Sequence, residues 1–111
     1  LPLQELAAAA CISPGYLSRM FRHHYGIGPV AAVELLRLAR AATLLTRSNL
    51  SVAAVADDCG FANPYHFSRR FHRVYDQPPG RYRRAPTRLE PNEPLARAGL
   101  LPLADRIWRT T

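Results

Sequence analysis

The sequence predicts an all-α protein in which two similar helix-turn-helix units are joined by one long helix. Three observations predict this. The stretch Ser13–Phe21 recurs as Asn63–Phe71, fifty residues later. Each copy opens with a helix-capping residue followed by proline. Between the copies lies a proline-free run whose apolar residues fall at helical spacing. The expected organisation is a two-unit domain over residues 1–85 and a proline-rich tail over 86–111. Within the domain, the first unit covers 1–28, the linker helix 29–46 and the second unit 51–85.

The elements follow in order. Leu3–Ala10 is an alanine-rich helical segment, and the short turn Cys11-Ile12 leads to the next helix. Ser13 is a good N-cap, and Pro14 stands at the first helical position, where its missing N–H costs nothing. In the repeat, Ser51–Cys59 is the preceding helix and Gly60-Phe61-Ala62 the turn, with Gly60 as the left-handed residue that ends the helix. Asn63 then caps and Pro64 follows. Pro14 matches Pro64, Ser18 matches Ser68, Arg19 matches Arg69, Phe21 matches Phe71, Tyr25 matches Tyr75 and Pro29 matches Pro79. Two copies are a duplication, not a solenoid.

Pro29–Thr46 reads as a single helix, roughly 27 Å long at 1.5 Å per residue. Its apolar stripe takes in Val30, Val33, Leu35 or Leu36, Leu38 or Ala39, Ala41, Leu44 and Leu45, with Glu34, Arg37 and Arg40 mostly off it. Arg47–Leu50 is a polar break. From Pro86 the character changes: Pro86, Pro91, Pro94 and Pro102 argue against a packed helix before Pro94. Leu95–Trp108 has two readings. It forms a short helix or turn docking through Leu100, Leu101, Leu103, Ile107 and Trp108, or it packs against another domain. The sequence begins at Leu1 inside an apparent helix, so the chain is expected to be part of something longer.

Composition narrows the partners. The 111 residues carry a formal net charge of +7, and all 15 basic residues are arginine. Arginine makes flat bidentate contacts to phosphate and guanine, so a polyanionic partner fits. Cys11 and Cys59 read as small buried fillers, and no histidine stands at zinc-ligand spacing, so neither a cofactor nor a metal is expected. No apolar run reaches membrane-spanning length and no signal peptide is visible, which fits a reducing cytoplasm.

The second helix of each unit has two faces. Leu17, Met20, Phe21 and Tyr25 share one side of the first. Gly15, Ser18, Arg19, Arg22 and His23 lie opposite. In the repeat, Phe67, Phe71, Val74 and Tyr75 oppose Tyr65, Ser68, Arg69, His72 and Arg73. A capped helix with an arginine-bearing polar face suits the DNA major groove, which admits one α-helix. The candidate DNA-contacting residues are Ser13, Gly15, Tyr16, Ser18, Arg19 and Arg22 in the first unit, and Asn63, Tyr65, His66, Ser68, Arg69 and Arg73 in the second. A helical protein-interaction module would instead need an exposed apolar patch. An enzyme would need a triad, paired carboxylates, a phosphate-cradling glycine loop or an accessible reactive cysteine, and none is legible.

With these residues in view, the chain resembles the AraC/XylS family of transcription regulators. The run Ala56–Phe71 holds a Gly-Phe turn, an asparagine cap and an aromatic-Ser-Arg-x-Phe helix, and Pro79 with Tyr82-Arg83 closes the motif. Leu6-Ala7, Ser13, Leu17-Ser18-Arg19 and Phe21 match in the first unit. Arg37-Leu38, Ala41 and Leu44-Leu45 match in the connecting helix. The resemblance covers about residues 1–85. It implies two homeodomain-like three-helix subdomains whose recognition helices enter adjacent major grooves of double-stranded DNA. It also implies a bacterial, cytoplasmic, nucleoid-associated regulator that recruits or blocks RNA polymerase and carries a separate sensing or dimerising domain. The implied recognition positions are Gly15, Ser18, Arg19 and Arg22, then Tyr65, His66, Arg69 and Arg73, while Arg83 is either structural or a phosphate contact. There are departures from the family pattern: the helix that opens the first unit in the family is missing before Leu1, and the tail after Pro86 lies outside the family core. Gly15 carries no reading side chain, and Asp76 stands where glycine is common.

Overall fold

The computed structural model describes the backbone of residues 14–109 and the side-chain surroundings of residues 15–105. The expected first helix, Cys11 and the Ser13 cap lie outside the described residues, as do the side chains of Ile107 and Trp108. Among the described residues all regular structure is helical. The helices are α1 (Pro14–Tyr25), α2 (Pro29–Arg47), α3 (Val52–Asp58), α4 (Pro64–Tyr75), α5 (Pro79–Arg84), α6 (Glu93–Arg97) and α7 (Leu101–Arg109). The chain divides into two compact units, residues 1–36 with 95–111, and residues 37–94.

The unit of residues 37–94 is built on aromatic rings. Leu38, Ala41, Ala42 and Leu45 form one stripe of α2 and pack with Val55, Ala56, Cys59, Phe61, Phe67, Phe71, Tyr75 and Tyr82. The spacing of Phe67, Phe71 and Tyr75 places one ring per turn on the buried side of α4. Full burial of each such ring contributes about 1.5–3 kcal/mol. Helix α3 starts where the Ser51 side chain accepts from the Ala54 N–H at 3.0 Å. It ends in a Schellman turn, with the Gly60 N–H donating to Asp57 O and the Phe61 N–H to Ala56 O. Gly60 has φ +87°, and a Cβ there would meet the Arg37 guanidinium at 3.3 Å. The backbone conformation therefore favours glycine, and the Arg37 guanidinium would have to shift by a few tenths of an ångström to admit a Cβ.

The segment after α5 is not a loose tail at its start. Tyr75 Oη donates to Pro91 O at 2.7 Å, Tyr82 Oη donates to Leu89 O, and Gln77 Nε2 donates to Thr87 O at 3.3 Å. Leu89 packs on the core, and the Arg88 guanidinium lies 5.6 Å from the centre of the Tyr82 ring. Burial raises the pKa of both phenols above the ordinary value of 10.0. Their contribution to stability is complete below that pH and is lost as pH rises through the elevated folded values.

In the other unit, Pro29, Ala32 and Leu36 form a buried stripe on the first part of α2. The readings left open for α2 resolve to Leu36 over Leu35 and to both Leu38 and Ala39. Val30 is 72% exposed, contrary to expectation, because it lies one position, about 100°, from Pro29 on this stripe. Proline was expected to prevent a helix before Pro94. Helix α6 nevertheless starts at Glu93, and Pro94 is accommodated in its first turn, where no N–H is needed. Gly99 closes α6 with φ +74°, and the Leu100 N–H donates to Leu95 O at 2.9 Å. Leu95, Leu100 and Ala104 are buried, while Leu101 is exposed rather than docked.

The duplication extends to the ends of α1 and α4. The Gly26 N–H donates to Arg22 O at 2.8 Å with φ +81°, and the Asp76 N–H donates to His72 O at 2.8 Å with φ +63°. Asp76 thus takes up a left-handed conformation that suits glycine, and its carboxylate sits at the negative end of the α4 dipole. Asp76→Gly is expected to raise stability by roughly 1 kcal/mol. Thermal unfolding measures it, and an unchanged midpoint would mean that the aspartate side chain offsets the strain.

Candidate nucleic-acid interface

The start of α4 is tightly organised. Asn63 adopts φ −130° and ψ 116°, and its Oδ1 accepts from the N–H groups of Tyr65 (2.8 Å) and His66 (3.3 Å). Pro64 fills the first helical position, so three early backbone positions need no further partner. With Phe67, Phe71 and Tyr75 buried, the helix must turn Tyr65, Arg69, His72 and Arg73 to the surface, and all four are exposed. Tyr65 is 80% exposed. His66 is exposed with its ring 6.4 Å from that of Phe61, at the edge nearest the turn. Ser68 is half-buried and stands back from this face.

In α1, Gly15, Tyr16, Arg19 and Arg22 are exposed and Ser18 is half-buried. The expected apolar face is less complete. Leu17, Phe21 and Tyr25 are half-buried, but Met20 is 46% exposed. Met20 falls in line with exposed Tyr16, one turn earlier, whereas the rings of Phe21 and Tyr25 pack against each other, tilted by 38° with centroids 4.5 Å apart. Neither α1 nor α4 contains an acidic residue, so each carries positive charge with no carboxylate of its own.

Arg83 belongs elsewhere. Its Nε donates to Leu45 O at 2.9 Å, and its Nη2 reaches Ser48 O and Leu50 O. The guanidinium therefore closes the C-terminal end of α2 and the turn after it. Of the two roles open from sequence, the structural one holds. Arg40 and Asp58 pair at 3.3 Å on the surface, a contact worth at most about 1 kcal/mol. The Arg37 contact on Gly60 and the carbonyl cradle of Arg83 were missed in the sequence, because both join residues far apart in the chain.

Cys59 is buried, and desolvation pushes its thiol up to about 11 despite the nearby Arg40 charge. Little thiolate exists at neutral pH, which argues against a nucleophilic role for this residue. Alkylation of Cys59 by iodoacetamide is expected to be slow in the native chain and fast in urea. Peptide mass spectrometry separates it from Cys11, and equal rates in both states would contradict the burial.

A family model described as a helix-turn-helix domain matches residues 6–85. The chain belongs to the AraC-type helix-turn-helix family. This helix-turn-helix domain is 42% identical over 85 residues to the HTH-type transcriptional regulator GlxA of Rhizobium meliloti, covering 75% of this chain and 26% of that protein. It is 33% identical over 89 residues to the RCS-specific HTH-type transcriptional activator RclR of Escherichia coli, covering 80% of this chain and 31% of RclR. The domain thus spans between a quarter and a third of the length of these relatives. Among solved structures, it is similar to the DNA-binding domain of AdpA, a global transcriptional factor in complex with a target DNA. That match has TM-score 0.72 and 34% identity, and covers 77% of each chain. It is also similar to the C-terminal domain of the response regulator yesN of Fusobacterium nucleatum, with TM-score 0.70 and 30% identity, covering 75% of this chain and 81% of that one. These relatives are transcription regulators, and the AdpA domain among them is a DNA-binding domain.

Proposed function

We propose that this domain binds double-stranded DNA sequence-specifically, with α1 and α4 each entering a major groove, and that the regulator containing it controls transcription. The observation that carries the reading is α4. It is a capped helix whose buried rings set Tyr65, Arg69 and Arg73 outward on one basic face. An arginine so placed reaches guanine O6 and N7 together, which no protein-interaction role requires. The similarity to a domain solved with its target DNA supports it. In this reading Asn63 and the α4 N-terminus meet phosphate, while Tyr65, His66, Arg69 and Arg73 meet bases or sugars, with Ser68 at the margin. In the first unit, Ser13, Gly15, Tyr16, Ser18, Arg19 and Arg22 face the DNA.

The regulator as a whole acts in the cytoplasm beside RNA polymerase, with sensing or dimerisation supplied by a separate domain. The greater length of the curated relatives supports that reading. Among the described residues no helix is long and apolar enough to cross a membrane.

Selection of bound sequences from a random duplex pool at physiological salt tests the proposal. Enrichment of a defined sequence block is expected, and a folded chain that enriches nothing would sink it. Arg69→Ala is then expected to weaken binding to the selected duplex by about 1–3 kcal/mol and to relax preference at one position. Equal weakening on every duplex would make Arg69 a phosphate contact.

A further inference from the structure

The segment matched by the family model stops at residue 85. Residues 86–91 lie beyond it, yet they are built into the unit of residues 37–94. Two fully buried tyrosines hold them. Tyr75 Oη, at the end of α4, donates to Pro91 O at 2.7 Å, and Tyr82 Oη, on α5, donates to Leu89 O. Leu89 packs against the core that these rings help to form. Gln77 Nε2, in the turn between the two helices, donates to Thr87 O at 3.3 Å. Arg88 Nη1 donates to Ala85 O at 2.9 Å while its guanidinium lies 5.6 Å from the centre of the Tyr82 ring. A phenylalanine would bury the same ring without needing an acceptor, whereas a buried phenol must find one. Both phenols find it on the same short stretch of backbone.

The place of this contact matters because of how α4 ends. Helix α1 closes on Gly26 with φ +81°, a conformation glycine adopts freely. Helix α4 closes on Asp76 with φ +63°, where a Cβ is strained and a carboxylate meets the negative end of the dipole. The last turn of α4 is therefore weakly closed by its own residues. Tyr75 lies in that turn, stacked on Phe71 at 4.5 Å, and the extension bears on it from the buried side, away from exposed Arg69 and Arg73.

We infer that residues 86–91 are a clasp that positions α4 for base reading, with Tyr75 and Tyr82 as the positioning residues. The inference rests on the DNA-binding reading and concerns how the reading helix is held. A bidentate arginine–guanine pair tolerates little displacement, whereas attraction to phosphate carries no sequence information and survives it. A loosened clasp thus costs preference for the selected duplex, not affinity for DNA in general.

The test uses the 111-residue chain. Tyr75→Phe/Tyr82→Phe keeps both rings in the core and removes only the two O–H groups, and Leu89→Ala weakens the clasp from its other side. Binding is measured well below the lowest thermal midpoint, so that every variant is folded. The double variant is expected to bind the duplex selected from the random pool about tenfold more weakly, the scale of two lost hydrogen bonds, and to change binding to an unrelated duplex less than about twofold. Leu89→Ala is expected to shift the two duplexes in the same unequal way. In both variants the amides of Val74, Tyr75 and Asp76 are expected to exchange hydrogen about tenfold faster, while those of α3 keep the parent rates. Unchanged preference in the folded double variant, or exchange that rises equally across the unit, would overturn the positioning role and leave a segment that only stabilises. Equal weakening on both duplexes would overturn it too, by making the segment a contact to the DNA backbone. Failure of the parent chain to bind any duplex would instead refute the DNA-binding reading, and the exchange rates would still decide whether the clasp holds α4.

Discussion

Arg83→Ala is expected to destabilise the unit of residues 37–94 by about 2–4 kcal/mol. The reason is the number of carbonyls it serves. Its guanidinium donates to Leu45, Ser48 and Leu50, which lie 33 to 38 residues away in sequence. Hydrogen bonds from a charged donor contribute about 1.5–3 kcal/mol each, less than additively, and removing the donor strands acceptors at the end of a helix. A positive charge at that end also meets the dipole favourably. Arg83→Lys keeps the charge but not the planar fork, so it is expected to recover less than half of the loss. Urea denaturation of the three proteins decides the matter. If Arg83→Ala leaves stability unchanged but weakens DNA binding, the residue is a phosphate contact after all.

Phe71→Ala is expected to cost about 3–5 kcal/mol, the usual range for emptying a buried aromatic site. Phe71 is fully buried and sits among three rings: Phe67 at 5.6 Å, Tyr75 stacked at 4.5 Å and Tyr82 edge-on at 5.1 Å. Collapse cannot fill the space, because Tyr75 and Tyr82 are tied by their hydroxyls to Pro91 and Leu89. Against a typical stability of about 5–15 kcal/mol, this loss leaves the unit marginal. Phe71→Leu is expected to cost less than half as much. A drop below about 1 kcal/mol for Phe71→Ala would mean that the ring cluster repacks freely. The matching residue Phe21 is only half-buried, so Phe21→Ala is expected to cost less.

Much of this molecule was readable in one dimension. The caps, the proline after each cap, and the ring-per-turn spacing of Phe67, Phe71 and Tyr75 are local signals. Local signals determine where α4 begins and which side it buries. The exposed set Tyr65, Arg69 and Arg73 follows from that side by geometry alone. Gly60 was legible as a left-handed residue, and its φ of +87° agrees. Less legible was the start of the region after Pro86. Its prolines signal a break in helix, which is correct for residues 86–92, but they say nothing of docking.

By itself, then, the sequence determined α1 to α4, the Asn63 cap and the basic face of α4, because each depends on residues within a turn or two of one another. Tertiary structure decided the remainder. It sent Arg83 to three carbonyls, packed Arg37 over Gly60, bound residues 87–91 to the hydroxyls and side chains of α4, α5 and the turn between them, and exposed Met20 and Val30. These outcomes turn on which long side chain meets which distant backbone group. That meeting is set by packing of the assembled helices, and no spacing along the chain encodes it.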